Sequence, residues 1–172
     1  MAAAHSVTTT SLRDGTTVDV RPLVSSDRDA LLSAFDELSA TSRYSRFLAP
    51  LRELTPAMLD HLVDGVDQTS HVALVLSVNG GAVGVGRFVR DSGDPTRAEI
   101  AVTVVDAWQR RGAGAVLVDA LVGAAHELGV TTFTAVALAT NAATLRLLER
   151  TGTVTSRELV GPGVVALEVA VR

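Results

Sequence analysis

The segment that decides the fold is VVDAWQRRGAG, residues 104–114. A Val-rich run enters a turn that holds Gly112 and Gly114, and a long apolar helical pattern leaves it. The first N–H groups of a helix lack intrahelical partners and therefore form an anion site. The two glycines let the backbone approach an anion closely, and Arg110 and Arg111 add two permanent positive charges. The turn therefore predicts a diphosphate site.

The spacing of the glycines limits which diphosphate is expected. The chain has neither the Gly-x-Gly-x-x-Gly dinucleotide pattern nor a Gly-Lys-Ser/Thr nucleotide loop at this turn. In the alternative interpretation, Gly112 and Gly114 only begin a helix and the arginines are solvated. Two glycines at a helix start reduce helix propensity, which favours the functional interpretation.

Periodicity and turn residues around this segment predict an alternating chain of strands and helices. The Asn-Gly pair at residues 79–80 indicates a hairpin between two strands, and residues 41–47 are interpreted as a polar and aromatic turn. The predicted order is β-α-α-β-β-β-α-β-α-β-β. The strands are predicted at residues 16–21, 71–78, 82–90, 97–105, 131–137, 153–160 and 164–171. The helices are predicted to begin near residues 27, 55, 115 and 141.

Length and charge bound the class of protein. The chain has 172 residues, which is the size of one domain; we expect a flexible tail at residues 1–12 and one domain at 13–172. The net charge is −4, which argues against nucleic-acid binding. Residues 1–10 do not resemble a signal peptide, and the longest central stretch without charge, residues 72–86, is shorter than a membrane span. No membrane association and a cytoplasmic location are expected.

Two residue types are missing from the chain. It has no cysteine, which excludes disulfides and cysteine nucleophiles, and no lysine, which excludes a Schiff-base mechanism. The four histidines are scattered without the spacing of a metal site, so no metal is predicted.

The turn resembles the Gln/Arg-x-x-Gly-x-Gly/Ala pyrophosphate loop of the GCN5-related N-acetyltransferase (GNAT) family, on the residues QRRGAG at 109–114. Asn141, at the start of the next helix, and the order of elements over about residues 16–171 support the resemblance. It implies an α/β (α+β) fold with one domain, a mixed and mostly antiparallel sheet, and helices on its faces. It also implies a V-shaped split between the fourth and fifth predicted strands, which holds acetyl-CoA.

The resemblance assigns contacts to acetyl-CoA. Val102 and Val104 would offer backbone groups to the pantetheine, and Asn141 would bond the same arm. The acceptor side would include Gly86 and Arg87, although no motif supports these two. The residues implied for the pyrophosphate are Gln109, Arg110, Arg111, Gly112, Ala113, Gly114 and Ala115.

Glu99 is the candidate general base. If Ala98, Ile100 and Val102 share one face of their strand, Glu99 lies on the other face beside the small Ala101. An amine acceptor is protonated at neutral pH and must lose a proton before it attacks. A solvent-facing strand glutamate is the alternative, but related protein-lysine acetyltransferases carry Glu at this place.

A second resemblance lies at SRYSRF, residues 42–47, which is similar to a region of bacterial Pat-type protein-lysine acetyltransferases. It suggests that Arg43, Tyr44, Arg46 and Phe47 contact an acidic acceptor. Alternatively, the two aromatic residues are core anchors and the arginines lie on the surface. Many GNAT enzymes use a tyrosine as general acid in the helix after the Asn, and residues 141–148 contain none.

Together these features predict an acetyl-CoA-dependent N-acetyltransferase. The expected acceptor is a protein lysine, attacked directly with Glu99 as base. A small-molecule amine acetyltransferase and a non-catalytic acyl-CoA-binding regulatory module are the alternatives. A monomer or a homodimer is expected.

Overall fold

The computed structural model describes residues 6–172, which form eight strands and five α-helices. The strands are β1 (Thr8–Ser11), β2 (Thr17–Pro22), β3 (His71–Val78), β4 (Gly81–Arg90), β5 (Arg97–Val104), β6 (Thr132–Leu138), β7 (Gly152–Gly161) and β8 (Val164–Val171). The helices are α1 (Arg28–Asp36), α2 (Ala40–Phe47), α3 (Pro56–Leu59), α4 (Ala113–Leu128) and α5 (Ala142–Thr151). No helix among these residues is both long and apolar enough to span a bilayer.

All eight strands form one mixed sheet in the order β1-β2-β3-β4-β5-β6-β8-β7. Only β5 and β6 run parallel, and their pairing is limited to Arg97–Glu99 against Thr132–Thr134. On its other edge β5 stays paired with β4 as far as Val104. The two parallel strands therefore separate after Glu99. This confirms the α/β class, the mostly antiparallel sheet and the V-shaped split between the fourth and fifth predicted strands.

The two faces of the sheet carry separate hydrophobic cores. Ile100 of β5 is buried with Leu117 and Leu121 of α4 on one face. Val85 of β4 is buried with Phe35 of α1 on the other. Side chains alternate between faces along a strand, which confirms that Ile100 and Glu99 face opposite sides.

The N-terminal segment contributes to the sheet, so the prediction of a flexible tail is wrong for residues 8–11. Thr8–Ser11 pairs antiparallel with β2. A short run of Ser and Thr gives little hydrophobic pattern, and its pairing comes from the exposed edge of β2. The remainder of the predicted tail includes residues 1–5, which lie outside the described residues.

Helix α2 corrects the interpretation of residues 41–47 as a turn. The helix begins after Ser39, whose Oγ accepts a hydrogen bond from the backbone N–H of Ser42 at 3.1 Å, as an N-cap does. Its Phe47 packs against Phe35 of the core, with ring centroids 6.0 Å apart. The helix has too few apolar residues to show a helical period in the sequence.

Candidate active site

A cleft of about 940 Å³ opens where β5 and β6 separate. Its walls come from the second half of β5, the N-terminal turn of α4, helix α2 and helix α5. Each wall belongs to a different part of the chain, and the divergence of the two strands brings them together.

The edge of β5 presents backbone groups to this cleft. The carbonyl oxygen of Val104 accepts a hydrogen bond from Gln109 Nε2 at 3.0 Å, whereas the N–H of Val105 donates to Val83 on β4. Backbone groups of successive residues point to opposite edges of a strand, so Val102 faces the cleft as Val104 does. Both predicted pantetheine contacts therefore lie where an extended molecule would add as a strand.

The turn between β5 and α4 has the backbone of an anion site. Arg110 has a left-handed φ of 59°, and Gly112, at φ 96°, occupies the position before the first helical residue. The first bond of α4 runs from the N–H of Val116 to the carbonyl of Gly112. The N–H groups of the three preceding residues therefore have no intrahelical acceptor and stand at the positive end of the helix dipole.

Gly114 has a packing reason in addition to any role at the cleft. A Cβ at this position would lie 2.8 Å from Cδ1 and 3.2 Å from Cδ2 of Leu147 on α5. The absence of a side chain thus lets α4 and α5 approach each other. Because α4 and α5 each form a wall of the cleft, their distance at this contact also sets the width of the cleft.

The two arginines of the turn have different environments. Arg110 lines the cleft. Arg111 instead donates to Asp14 from Nε at 2.7 Å and to Thr16, and its guanidinium stacks on Trp108 at 4.1 Å. Hydrogen bonds from Thr16 and Arg111 lower the pKa of Asp14 to about 2. The Arg111 side chain thus holds the turn against the N-terminal segment rather than facing the cleft.

The other residues predicted for the pyrophosphate divide in the same way. Ala113 has its side chain buried in the core, outside the cleft lining. The members that line the cleft are Gln109, Arg110, Gly112, Gly114 and Ala115.

Sequence reasoning missed three further arginines that line the cleft, Arg13, Arg146 and Arg150. No motif marks Arg13, but its backbone N–H donates to the carbonyl of Arg111 and its side chain lies over Gly112. Arg150 forms an ion pair with Asp119 at 2.6 Å. Within residues 6–172 no carboxylate forms an ion pair with Arg13, Arg110 or Arg146. The positive charge of these three side chains is therefore available to bind an anion.

Asn141 lines the cleft and begins helix α5. Its Oδ1 accepts a hydrogen bond from the N–H of Thr144 at 3.1 Å. The cap engages the amide oxygen, which leaves the amide nitrogen as the donor available to a ligand.

Glu99 lies at the mouth of the cleft, exposed, on the face of the sheet below α1–α3. The small Ala101 follows it on this face, so space remains beside the carboxylate. Its charged neighbour is Arg46 of α2. Burial lowers the pKa of Arg46, and the negative charge of Glu99 opposes that shift.

The four residues within 42–47 that were predicted to contact the acceptor do not form one surface. Arg46 and Phe47 line the cleft. Tyr44 is 43% exposed outside the lining. Arg43 donates to the carbonyl of Arg52 at 2.7 Å and stacks on the ring of Phe35. Its role is to hold α2 in place.

The two residues of β4 with an implied acceptor role face opposite sides. A Cβ on Gly86 would lie 2.9 Å from Cδ1 of Leu121 on α4, so this glycine packs under the helix. Arg87 pairs with Ala101 and shares the face of Glu99. Among residues 6–172, no three His, Asp or Glu side chains come together as a metal site.

Comparison with known proteins identifies relatives of this architecture. The family described as "Acetyltransferase (GNAT) domain" matches residues 18–154. The chain is 36% identical over 162 residues to "Acetyltransferase Pat" of Mycolicibacterium smegmatis, covering 93% of this chain and 47% of that protein. It is 35% identical over 123 residues to "Acetyltransferase PA5475" of Pseudomonas aeruginosa, covering 69% of this chain and 65% of that protein. The chain thus spans about half to two thirds of these curated relatives.

A solved structure shows the same architecture. The GNAT domain of S. lividans PAT superposes with a TM-score of 0.89 at 29% sequence identity. The match covers 99% of this chain and 100% of that one.

Proposed function

Since this chain belongs to the GNAT family of acetyltransferases, we propose that it transfers the acetyl group of acetyl-CoA to a lysine side chain of a protein, with Glu99 as general base. The observation that carries the proposal is the placement of Glu99. Its carboxylate lies on the strand whose free backbone edge opens to the cleft. The base and the thioester of an acetyl-CoA bound along that edge would therefore be neighbours.

The cleft fits the chemistry of acetyl-CoA. The edge of β5 at Val102 and Val104 matches the amides of the pantetheine arm. Asn141, whose amide nitrogen takes no part in the helix cap, lines the same cleft. The N-terminus of α4 and Arg110 match a pyrophosphate. Arg13 adds a further unpaired cation beside the turn for the phosphates.

A protein lysine is favoured as acceptor because Glu99 is exposed at an open mouth. A lysine presents its amine on a four-carbon stem, long enough to reach the carboxylate from a protein surface. The resemblance of residues 42–47 to Pat-type enzymes and the relatives that carry Pat or PAT in their names support the same acceptor class.

Glu99 would begin the reaction by removing a proton from the acceptor ammonium, directly or through one water. The free amine attacks the carbonyl carbon of the thioester and forms the new C–N bond. The negative charge that develops on the carbonyl oxygen needs a donor, and the cleft-facing N–H of Val102 supplies it. The nitrogen of the tetrahedral intermediate loses its second proton to water, and the C–S bond breaks to give the amide. CoA leaves as a thiolate that takes a proton from water, since no tyrosine lines the cleft among residues 6–172.

The test of this mechanism compares Glu99→Gln with Glu158→Gln, a variant of an exposed glutamate on the edge strand β7. Loss of a general base lowers turnover by about 10²- to 10⁴-fold. We expect this loss of kcat for Glu99→Gln with an acidic lysine-containing protein as acceptor, and wild-type kcat for Glu158→Gln. Calorimetric titration should give the same Kd for acetyl-CoA in all three proteins.

Other results would identify the alternatives. Acetylation of small amines but of no protein would make the chain a small-molecule acetyltransferase. Tight acetyl-CoA binding without turnover of any acceptor would make it an acyl-CoA-binding module. Unchanged kcat in Glu99→Gln would remove Glu99 as the base.

The absence of lysine simplifies the assay. The protein cannot acetylate its own side chains on lysine, so every acetyl-lysine found after the reaction belongs to the acceptor. A gain in intact mass of the protein itself would be confined to the α-amino group.

A further inference from the structure

A small cavity of about 50 Å³ lies beside the cleft, on the face of the sheet below α1–α3. Its walls are mostly aliphatic and aromatic side chains, but two guanidinium groups, Arg46 and Arg87, also line it. Arg46 borders the cleft as well and therefore joins the two spaces. The proposed mechanism uses neither arginine.

The register of β4 and β5 places this cavity next to the proposed base. Arg87 pairs with Ala101, two residues from Glu99 on the same face. Such diagonal neighbours across a strand pair lie roughly 7–8 Å apart. A small molecule or a short peptide segment can span this separation.

Neither arginine forms an ion pair with a carboxylate of residues 6–172. Arg87 is 6% exposed; its Nη1 donates to the carbonyl of Leu62 at 3.0 Å and lies 3.1 Å from Nε2 of His71. Both partners are neutral. One is a carbonyl, and the other is a histidine whose pKa is lowered to about 4 by burial together with the charge of Arg87. The side chain of Arg46 lies over the ring of Phe47 at 4.8 Å. No carboxylate of residues 6–172 lines the cavity.

This arrangement is costly unless an anion joins it. A buried cation needs a partner, and two cations close together repel each other. The charge of Arg46 indeed adds to the effect of burial in lowering the pKa of Arg87 to about 9, a value that leaves the group charged at neutral pH. Burial lowers the pKa of Arg46, and the negative charge of Glu99 opposes that shift from the side of the cleft. Glu99 is the proposed base, however, and its carboxylate is assigned to the acceptor amine.

We propose that Arg46 and Arg87 bind a carboxylate of the acceptor, so that the amine that reacts at Glu99 belongs to a molecule with a negative charge close to that amine. This inference rests on the proposed function, because it uses the same mouth of the cleft. A water-sized group needs about 10–15 Å³ of such space, so the cavity has room for the few atoms of a carboxylate. Guanidinium groups bind carboxylates with directed, charge-assisted hydrogen bonds.

The carboxylate has two chemical sources, and acceptor pairs distinguish them. One arm of the test uses free α- and ω-amino acids and their carboxamides. The other uses blocked peptides with a single lysine followed by Asp or by Asn. We expect the wild-type enzyme to prefer the carboxylate member of one arm by about 10- to 100-fold in kcat/KM, the effect of one or two hydrogen bonds to a charged group. The arm that shows the preference identifies the source.

The variants Arg87→Met and Arg46→Gln assign the preference to this cavity. In each, the ratio of kcat/KM for the carboxylate and amide members should fall towards one, and Arg87→Lys should restore part of it. Arg157→Gln, a variant of an exposed arginine on β7, is the control and should keep the wild-type ratio. Arg46 lies on the surface helix α2, so its variant tests the proposal even if substitution of the buried Arg87 prevents folding.

A binding measurement separates this inference from the proposed reaction. The preferred carboxylate acceptor is titrated calorimetrically into Glu99→Gln and into Glu99→Gln with Arg46→Gln. Weaker binding in the second protein supports the anion site even if no acceptor is turned over. Equal kcat/KM for both members of every pair, or equal binding to both proteins, would overturn the inference and leave the acetyltransferase reaction intact.

Discussion

The two glycines of helix α4 provide a test of whether packing explains Gly114. A Cβ added at Gly123 would have no atom within 4 Å, whereas a Cβ added at Gly114 would lie 2.8 Å from Cδ1 of Leu147. Replacing a solvent-exposed helical glycine by alanine raises the free energy of unfolding by roughly 0.5–1 kcal/mol. We expect this gain for Gly123→Ala.

Gly114→Ala should behave in the opposite way. The gain in helix propensity is at most about 1 kcal/mol, and inserting a methyl group into a packed contact costs about 1–3 kcal/mol. Because two methyl groups of Leu147 lie within 3.2 Å of the added atom, the leucine must shift or the helices must separate. We therefore expect Gly114→Ala to be less stable than Gly123→Ala by about 1–3 kcal/mol. For a chain of this size, each kcal/mol of lost stability lowers Tm by about 2–4 °C.

Urea unfolding of the ligand-free proteins, followed by circular dichroism, measures both changes. The variant Leu147→Ala, alone and combined with Gly114→Ala, completes a double-mutant cycle. We expect Gly114→Ala to be better tolerated in the Leu147→Ala background. If Gly114→Ala stabilises the free protein as much as Gly123→Ala does, the packing argument is refuted and the glycine serves only the ligand.

Two further predictions concern the cap of α5 and the buried histidine. Asn141→Ala should lower the free energy of unfolding by about 1 kcal/mol, because Thr144 loses its capping acceptor. Asn141→Asp, which keeps that acceptor, should retain stability while its acetyl-CoA affinity falls, as urea unfolding and calorimetry would show; equal losses of stability in both variants would contradict the cap. The pKa of His71 is about 4 in the folded protein against an ordinary value of 6.5. The unfolded chain therefore binds more protons between these values, and the free energy of unfolding should fall as pH drops from about 6.5 to 4. His71→Gln should flatten this slope in urea unfolding at stepped pH; a slope unchanged in His71→Gln would assign it to another group.

Local chemistry made the turn at residues 104–114 predictable. Its glycines, its arginines and the flanking strand and helix patterns are consecutive in the chain, and the structure has the strand, the turn and the helix in that order. The same holds for the opposite faces of Glu99 and Ile100, since alternation along a strand is a property of the backbone. Asn141 also caps its helix, as its position before an amphipathic run indicates.

The errors have equally definite causes. Strand β1 has no apolar alternation, and its pairing depends on an edge that β2 provides. Helix α2 depends on a serine cap and on the contacts of Phe47 and Arg43 with the ring of Phe35. Neither feature gives a periodic signal in its own residues.

Patterns within short segments were enough to predict most of the strands and helices, the position of the turn at the N-terminus of α4 and the strand that carries Glu99. Each of these follows from propensity, periodicity and spacing among neighbouring residues. The folded chain was needed to show that Arg111 holds the turn to Asp14 while Arg13 and Arg146 face the cleft. It was needed equally to show that Arg46 and Arg87 share a cavity beside Glu99. Side chains on separate elements meet only when the sheet has set their register, and no local pattern encodes that encounter.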